Sequence, residues 1–343
     1  MTDLLKACQQ AQEGLYQHFW DEEDHIMRNA VPHNRAEPFC YWWHAHAIDC
    51  FMDAYLRTHE LYWIERIDAE LEGVFQKNKD SILNDYYDDM EWMALALLRV
   101  WDATGEEKYR SLVLTLWKDI QTAWNNTMGG GMAWRKPQLD YKNTPANAPA
   151  AILALRLYER FHDSSDLEWG NRIYNWNKKY LMDPETGFIW DGMNRVGDGK
   201  IDYDWEYTYC QGVFIGASLE LYKITQDPDC LASAKRTALE AKKRFADGNG
   251  GILPDEGKGD CGLFKGILVR YLHQLLDTCK EMPEIKEMLL HNAITLAEKG
   301  MNEQGLIGGN WNRQPSKPVE LCTQLSGVML LETAVELKKT SSV

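Results

Sequence analysis

The sequence predicts an all-α protein, an (α/α)6 toroid of six inner and six outer helices, from two observations. The first is an internal repeat: an apolar helix, a short turn, an amphipathic helix and a long loop rich in Gly and Trp recur together. Their starts lie near Tyr86, Asn147, Tyr207, Gly262 and Leu321, 55 to 61 residues apart by subtraction, and an earlier start near Cys40 makes six. The second is an alternation of two helix types. Ile285, Met288, Leu289, Asn292, Ala293 and Leu296 draw one apolar stripe with a single polar break, as on a helix wet on one side. Val213 to Leu221 and Gly262 to Leu276 are apolar or small nearly all round, as in helices enclosed by others. The inner helices start near 40, 86, 147, 207, 262 and 321, and the outer ones near 2, 59, 106, 166, 229 and 284. No stretch sustains a period of two with β-branched residues, so little sheet is expected.

The connections justify the arrangement. From inner to outer helix they are tight and carry turn or cap chemistry: Thr104-Gly105, His162-Asp163-Ser164-Ser165, Gln226-Asp227-Pro228 and Met282-Pro283. From outer to inner helix they are long, as in Met128 to Trp134, Gly187 to Gly192, Asn249 to Glu256 and Gly305 to Trp311. Helices that alternate in direction put every long loop on one face, with the inner-helix N-termini, and that face is where a ligand is expected. Nothing in the composition marks a border, so residues 1–343 read as one domain.

The balance of charge narrows the partners. A formal charge of −15 argues against nucleic acid and anionic membrane, which would repel it. The start, Met1-Thr2-Asp3-Leu4-Leu5-Lys6, lacks the run of a secretory signal, and the apolar runs are far short of a bilayer span, so a cytoplasmic chain is expected. Eight cysteines with no CxxC pair read as reduced thiols. The 14 Trp and 16 Tyr favour a carbohydrate ligand, because sugar rings lie well on flat aromatic faces.

The chemistry is expected at Asp88-Asp89, in the run Tyr86-Tyr87-Asp88-Asp89-Met90-Glu91-Trp92 that opens the apolar helix through Leu98. Adjacent carboxylates at such a mouth must share a site, since unpaired charge in apolar surroundings is expensive. The bland alternative makes one of them a cap and the other a partner of the helix dipole. Flanking by Tyr86, Tyr87 and Trp92 puts the catalytic reading ahead. Two carboxyl groups suit glycoside hydrolysis, one as proton donor to the leaving oxygen and one facing the oxocarbenium-like centre.

Tyr87 to Ala96, Gly129-Gly130-Gly131-Met132-Ala133-Trp134, Asn143-Thr144-Pro145-Ala146-Asn147, Tyr207-Thr208-Tyr209-Cys210-Gln211-Gly212 and Phe264-Lys265-Gly266 together resemble family 76 of the glycoside hydrolases, in order and over most of the chain. The resemblance implies the same toroid and endo-acting α-1,6-mannanase chemistry with retention. It implies Asp88 as nucleophile and Asp89 as acid/base, no cofactor, and no particular oligomeric state. Asp89 then has to hold its proton near neutral pH, which crowding by Asp88 favours.

Further residues are candidates for binding sugar. Asp191 can take a hydroxyl or be a solvated turn residue, while Asp202, Asp204 and Glu206 read as surface charge. Trp42, Trp43, Trp134, Tyr207, Tyr209 and Trp311 fall at the elaborated face, as does Tyr87, and each is as fit for the core as for stacking. Asn147, Gln211 and Lys265 open apolar helices and can orient hydroxyls or satisfy neighbouring backbone. His44-Ala45-His46 chelates poorly at its spacing, and no metal is expected there. Cys40, Cys210, Cys261 and Cys322 stand near inner-helix starts, where a zinc enzyme like the lanthionine cyclases would place ligands, but the Cys-His-Gly signature is missing. The Gly129 to Gly131 run lacks the Lys-Ser/Thr of a nucleotide loop. Two other rivals are a sugar epimerase working through His44, His46 or His273 and a non-catalytic glycan-binding module.

Overall fold

The computed structural model describes residues 2–33 and 38–339. Its helices are α1 (Leu4–Phe19), α2 (Tyr41–Thr58), α3 (Tyr62–Lys77), α4 (Tyr87–Thr104), α5 (Glu107–Ile120), α6 (Thr144–Phe161), α7 (Ser164–Leu181), α8 (Thr208–Thr225), α9 (Pro228–Ala241), α10 (Cys261–Thr278), α11 (Pro283–Thr295) and α12 (Leu321–Lys339). Every start lies within three residues of the expected one. The largest shift among inner helices is at α6, where Asn143 caps the Ala146 N–H and Pro145 sits in the first turn, so the helix opens before Asn147.

The helices gather into two compact units, a central one of Ile82–Ala241 and a terminal one of Met1–Ser81 with Lys242–Val343. In the central unit α4 packs on α5 and α6, α6 on α7 and α8, and α8 on α9. In the terminal unit α2 packs on α3 and α12, and α12 on α1, α10 and α11. Even-numbered helices are the buried ones: on α6, Ala150, Ala151, Ile152, Leu153, Ala154 and Leu155 are all sealed from solvent. Tight turns end them in a common way. The N–H groups of His59, Gly105, His162 and Gln226, all at positive φ, bond back to the carbonyl four residues earlier.

Strands are short, as expected. The terminal unit pairs β1 (Trp20–Asp21) with β2 (Ile26–Met27), and β3 (Ala30–Val31) with β7 (Val319–Glu320). The central unit holds an antiparallel sheet of β4 (Ala133–Arg135), β5 (Gln138–Asn143) and β6 (Gly192–Met193). Among the described residues no helix is long and apolar enough to cross a membrane.

The long loops run over apolar helices, so their backbone groups need partners. Side-chain amides on the helices supply them in pairs. Asn147 accepts the Met132 N–H and donates to the Met132 carbonyl. Gln211 does the same to Ile189, Gln324 grips the Ile307 N–H and Gly305 carbonyl, and Asn292 grips the Leu253 N–H and Gly251 carbonyl. Two buried lysines add clamps that only donate. Lys142 Nζ donates to the Gly131 carbonyl at 2.8 Å, and Lys265 Nζ to the carbonyls of Pro254 and Gly309. Burial lowers both lysines to about 7. We expect Gln211→Leu, which strands the N–H and C=O of Ile189, to lose about 2–4 kcal/mol in chemical denaturation. A loss near zero would show that the clamp carries no stability.

Candidate active site

The mouth of α4 is set by Asn84, whose Oδ1 accepts the Tyr86 N–H just ahead of the first turn. Asp88 and Asp89 occupy that turn, half-buried, at the end of the helix where the dipole favours carboxylates. Asp88 is held from two sides. Its Oδ1 accepts the Asp89 N–H at 3.0 Å and its Oδ2 accepts the indole N–H of Trp134 at 3.0 Å. Trp134 stands on β4 between two rings, with Tyr86 edge-on at 5.2 Å and Tyr141 edge-on at 5.6 Å. Arg135 lies over the Trp134 ring at 4.6 Å and donates to the Tyr86 hydroxyl.

Tyr141 leads to a second carboxyl cluster. Asp191, sealed from solvent just before β6, accepts the hydroxyls of Tyr141 at 3.0 Å and Tyr209 at 2.8 Å, with the Cys210 thiol at 3.4 Å. Burial pushes Asp191 above the usual carboxylate range against the pull of these three donors. Burial and the nearby Asp191 likewise hold both tyrosines above their ordinary value. The chain of contacts from Asp88 through Trp134 and Tyr141 to Asp191 and Tyr209 joins residues 121 positions apart in the sequence. Tyr207 extends it, its ring 5.9 Å from that of Tyr209.

Other expected binding residues have partners within the protein. Tyr87 is buried, its hydroxyl against Thr122 at 3.2 Å. Asn147 and Gln211 are buried loop clamps, as described above. In the terminal unit, Trp43 and Trp42 both donate their indole N–H to Asp260 at 2.9 Å, Trp311 is fully buried, and Lys265 Nζ sits 4.0 Å over the Trp311 ring. Lys265 and Trp311 are thus engaged with the protein's own loops.

The groups behind the rival readings are also placed. His44 is buried against Glu70 at 2.6 Å, and burial drives His46 down to about 3, which leaves its imidazole uncharged near neutral pH. His273 lies 3.8 Å from Asp277 one turn on. Cys210 belongs to the central unit, while Cys40, Cys261 and Cys322 belong to the terminal one. Among the described residues no group of three or more His, Cys, Asp or Glu can hold a metal. Gly129 to Gly131 tuck beneath Tyr180, Trp124 and Trp176, where any Cβ would collide with a ring.

One acid was overlooked in the sequence. Glu91, one turn beyond Asp88, is completely buried, and among the described residues neither carboxyl oxygen has a hydrogen-bond partner. Burial first, then the charges of Asp88 and Asp89, raise its proton affinity well above the ordinary level; the Ala150 N–H opposes this from outside hydrogen-bond geometry. A proton bound more tightly folded than unfolded stabilises most below the ordinary Glu value of 4.5, and that contribution is lost as pH climbs toward the folded value. We therefore expect Glu91→Gln to gain melting temperature over wild type progressively between about pH 5 and pH 8. A difference that stays flat across that window would mean Glu91 ionises normally.

Comparison with known proteins follows the same lines. The profile of glycosyl hydrolase family 76 matches residues 3–342. A mannan endo-1,6-alpha-mannosidase, DCW1, of Candida glabrata is 25% identical over 310 residues, covering 81% of this chain and 68% of that protein. The Saccharomyces cerevisiae DCW1 is 22% identical over 305 residues, covering 80% and 67%. Among solved structures, the GH76A alpha-1,6-mannanase from Salegentibacter sp. HEL1_6 superposes with a TM-score of 0.93 at 38% identity over 98% of this chain and 100% of that one. The Lin0763 protein from Listeria innocua superposes with a TM-score of 0.93 at 37% identity, over 98% of each chain. The fold is the (α/α)6 toroid, and the chain belongs to glycosyl hydrolase family 76.

Proposed function

We propose that this glycoside hydrolase cleaves α-1,6-linked mannosides, either mannan or its oligosaccharides, with retention, using Asp88 as nucleophile and Asp89 as acid/base. The observation that carries the assignment is the pair of N–H donors on Asp88, from Trp134 and from Asp89's own backbone. Donors aimed at a carboxylate favour its charged form, which is the form that attacks. In the first step an Asp88 oxygen bonds to the anomeric carbon as the glycosidic bond breaks, and Asp89 gives its proton to the departing oxygen. In the second, water attacks the anomeric carbon, Asp89 takes the water proton, and Asp88 leaves as a carboxylate. The negative charge thus passes from Asp88 to Asp89 and back, and the burial of Glu91, which disfavours a third charge nearby, suits that exchange.

Asp191 serves the same reading indirectly. Its oxygens are engaged by Tyr141, Tyr209 and Cys210, and a phenol that donates to Asp191 keeps lone pairs to accept from a sugar hydroxyl. Support for the substrate comes from the Salegentibacter enzyme. An inactive variant of it, with two consecutive aspartates changed to asparagine, was solved in complex with alpha-1,6-mannotriose at 38% identity to this chain.

On α-1,6-mannooligosaccharides, Asp88→Asn and Asp89→Asn are each expected to lower kcat by about a thousandfold or more, with products of wild type retaining the α configuration by NMR. Retention of most of the rate by both variants would sink the assignment. Trp134→Phe removes one donor and keeps the ring, and is expected to lower kcat by about tenfold with little change in KM. If KM alone rises, the indole N–H serves ground-state binding instead.

A further inference from the structure

The loop that leaves β6 carries aromatic rings which the chemistry above leaves unused. Tyr203 is 60% exposed, yet its ring is fixed edge-on against Trp190 at 4.9 Å, beside Asp191. Trp205 lies 6.0 Å from Tyr207, which continues to Tyr209 and its bond to Asp191. The rings alternate along the chain with Asp204 and Glu206, both exposed.

This segment is held in place. The Asp202 N–H bonds to the Gly192 carbonyl at 2.9 Å and the Trp205 N–H to the Asp202 carbonyl at 3.0 Å. Arg195 pairs with the Asp202 carboxylate at 3.1 Å and covers the Trp205 ring at 4.2 Å. Tyr203 is thus a large ring held out into water by an ordered backbone, a surface that a ligand can cover. A flat ring offers its face to the C–H side of a sugar, and carboxylates between rings can accept hydrogen bonds from its hydroxyls. Preorganisation keeps the ordering cost of such a contact low.

We propose that Tyr203 and Trp205 form an outer rail that holds mannosyl units of a longer chain beyond those at the cleavage point, so that this loop sets the enzyme's preference for chain length. The proposal rests on the mannoside reading and extends it to residues that do not touch the reacting bond.

The test is a length series of α-1,6-mannooligosaccharides with wild type, Tyr203→Ala, Trp205→Ala and Tyr203→Phe. The ratio of kcat/KM on the octasaccharide to that on the trisaccharide is expected to fall about tenfold in each alanine variant and to be restored by Tyr203→Phe. An unchanged ratio overturns the rail, and so does an equal fall on both sugars, which would mark the loop as merely structural. Calorimetric binding of the same sugars to Asp88→Asn separates the two readings. Length-dependent binding that needs Tyr203, in an enzyme whose wild type cleaves none of them, keeps the rail and removes the hydrolytic assignment. Binding that is independent of both length and Tyr203 removes the rail whatever the activity.

Discussion

A helix buried on every side offers a neighbouring loop no water, so each loop that crosses one must find its hydrogen bonds on side chains. That constraint shapes this protein more than any single apolar contact. Asn147, Gln211 and Gln324 on the buried helices each present one acceptor and one donor to a loop backbone, the two functions of a peptide unit, and Asn292 does the same from the buried stripe of the outer helix α11. The site follows from it. Asn147 fixes Met132, two residues before Trp134, and Gln211 fixes Ile189, two residues before Asp191. The indole that steadies Asp88 and the carboxyl that steadies Tyr209 are therefore borne on loops pinned from below.

This explains which features were legible in the sequence. Helix starts were readable because the two periodicities differ, and because turn chemistry such as Thr104-Gly105 is local. Asp88 and Asp89 stood out because paired charge before an apolar helix has few uses. Asn147, Gln211 and Lys265 stood out for the same reason, a polar group where the pattern calls for an apolar one. Yet a side chain aimed at a ligand and one aimed at a peptide look alike in one dimension. Trp311 shows the same ambiguity: its Gly-rich loop pointed to the elaborated face, while the ring itself went under Lys265.

Glu91 and β5 were missed for different reasons. Glu91 carried no role of its own in the sequence, although a residue three beyond Asp88 lies on the same helix face one turn deeper. The signal was present in the spacing. At β5, Gln138 to Asn143 contain no β-branched residue, and the strand exists because β4 and β6 pair with it on either side. Tertiary pairing of that kind leaves no trace in local composition. The ring contacts of Tyr203 and Trp205 were equally hidden behind the acids at 202, 204 and 206, which read as ordinary surface charge.

The placement of acids sorts them by function more than by sequence density. Those on the loop from 198 to 206 are largely exposed, and a neutral sugar can approach them without a charge penalty that would exclude phosphate or nucleic acid. Those at the α4 mouth are crowded in a half-buried turn, where each additional charge raises the cost of the next. Two N–H donors reach Asp88, contacts that favour a carboxylate's charged form, and burial raises the proton affinity of Glu91. Asp89 stands beside Asp88 in that turn, half-buried. In the proposed mechanism such a group releases a proton to the departing oxygen and recovers one from water, carrying the negative charge while Asp88 is bonded to the sugar and giving it up when Asp88 leaves.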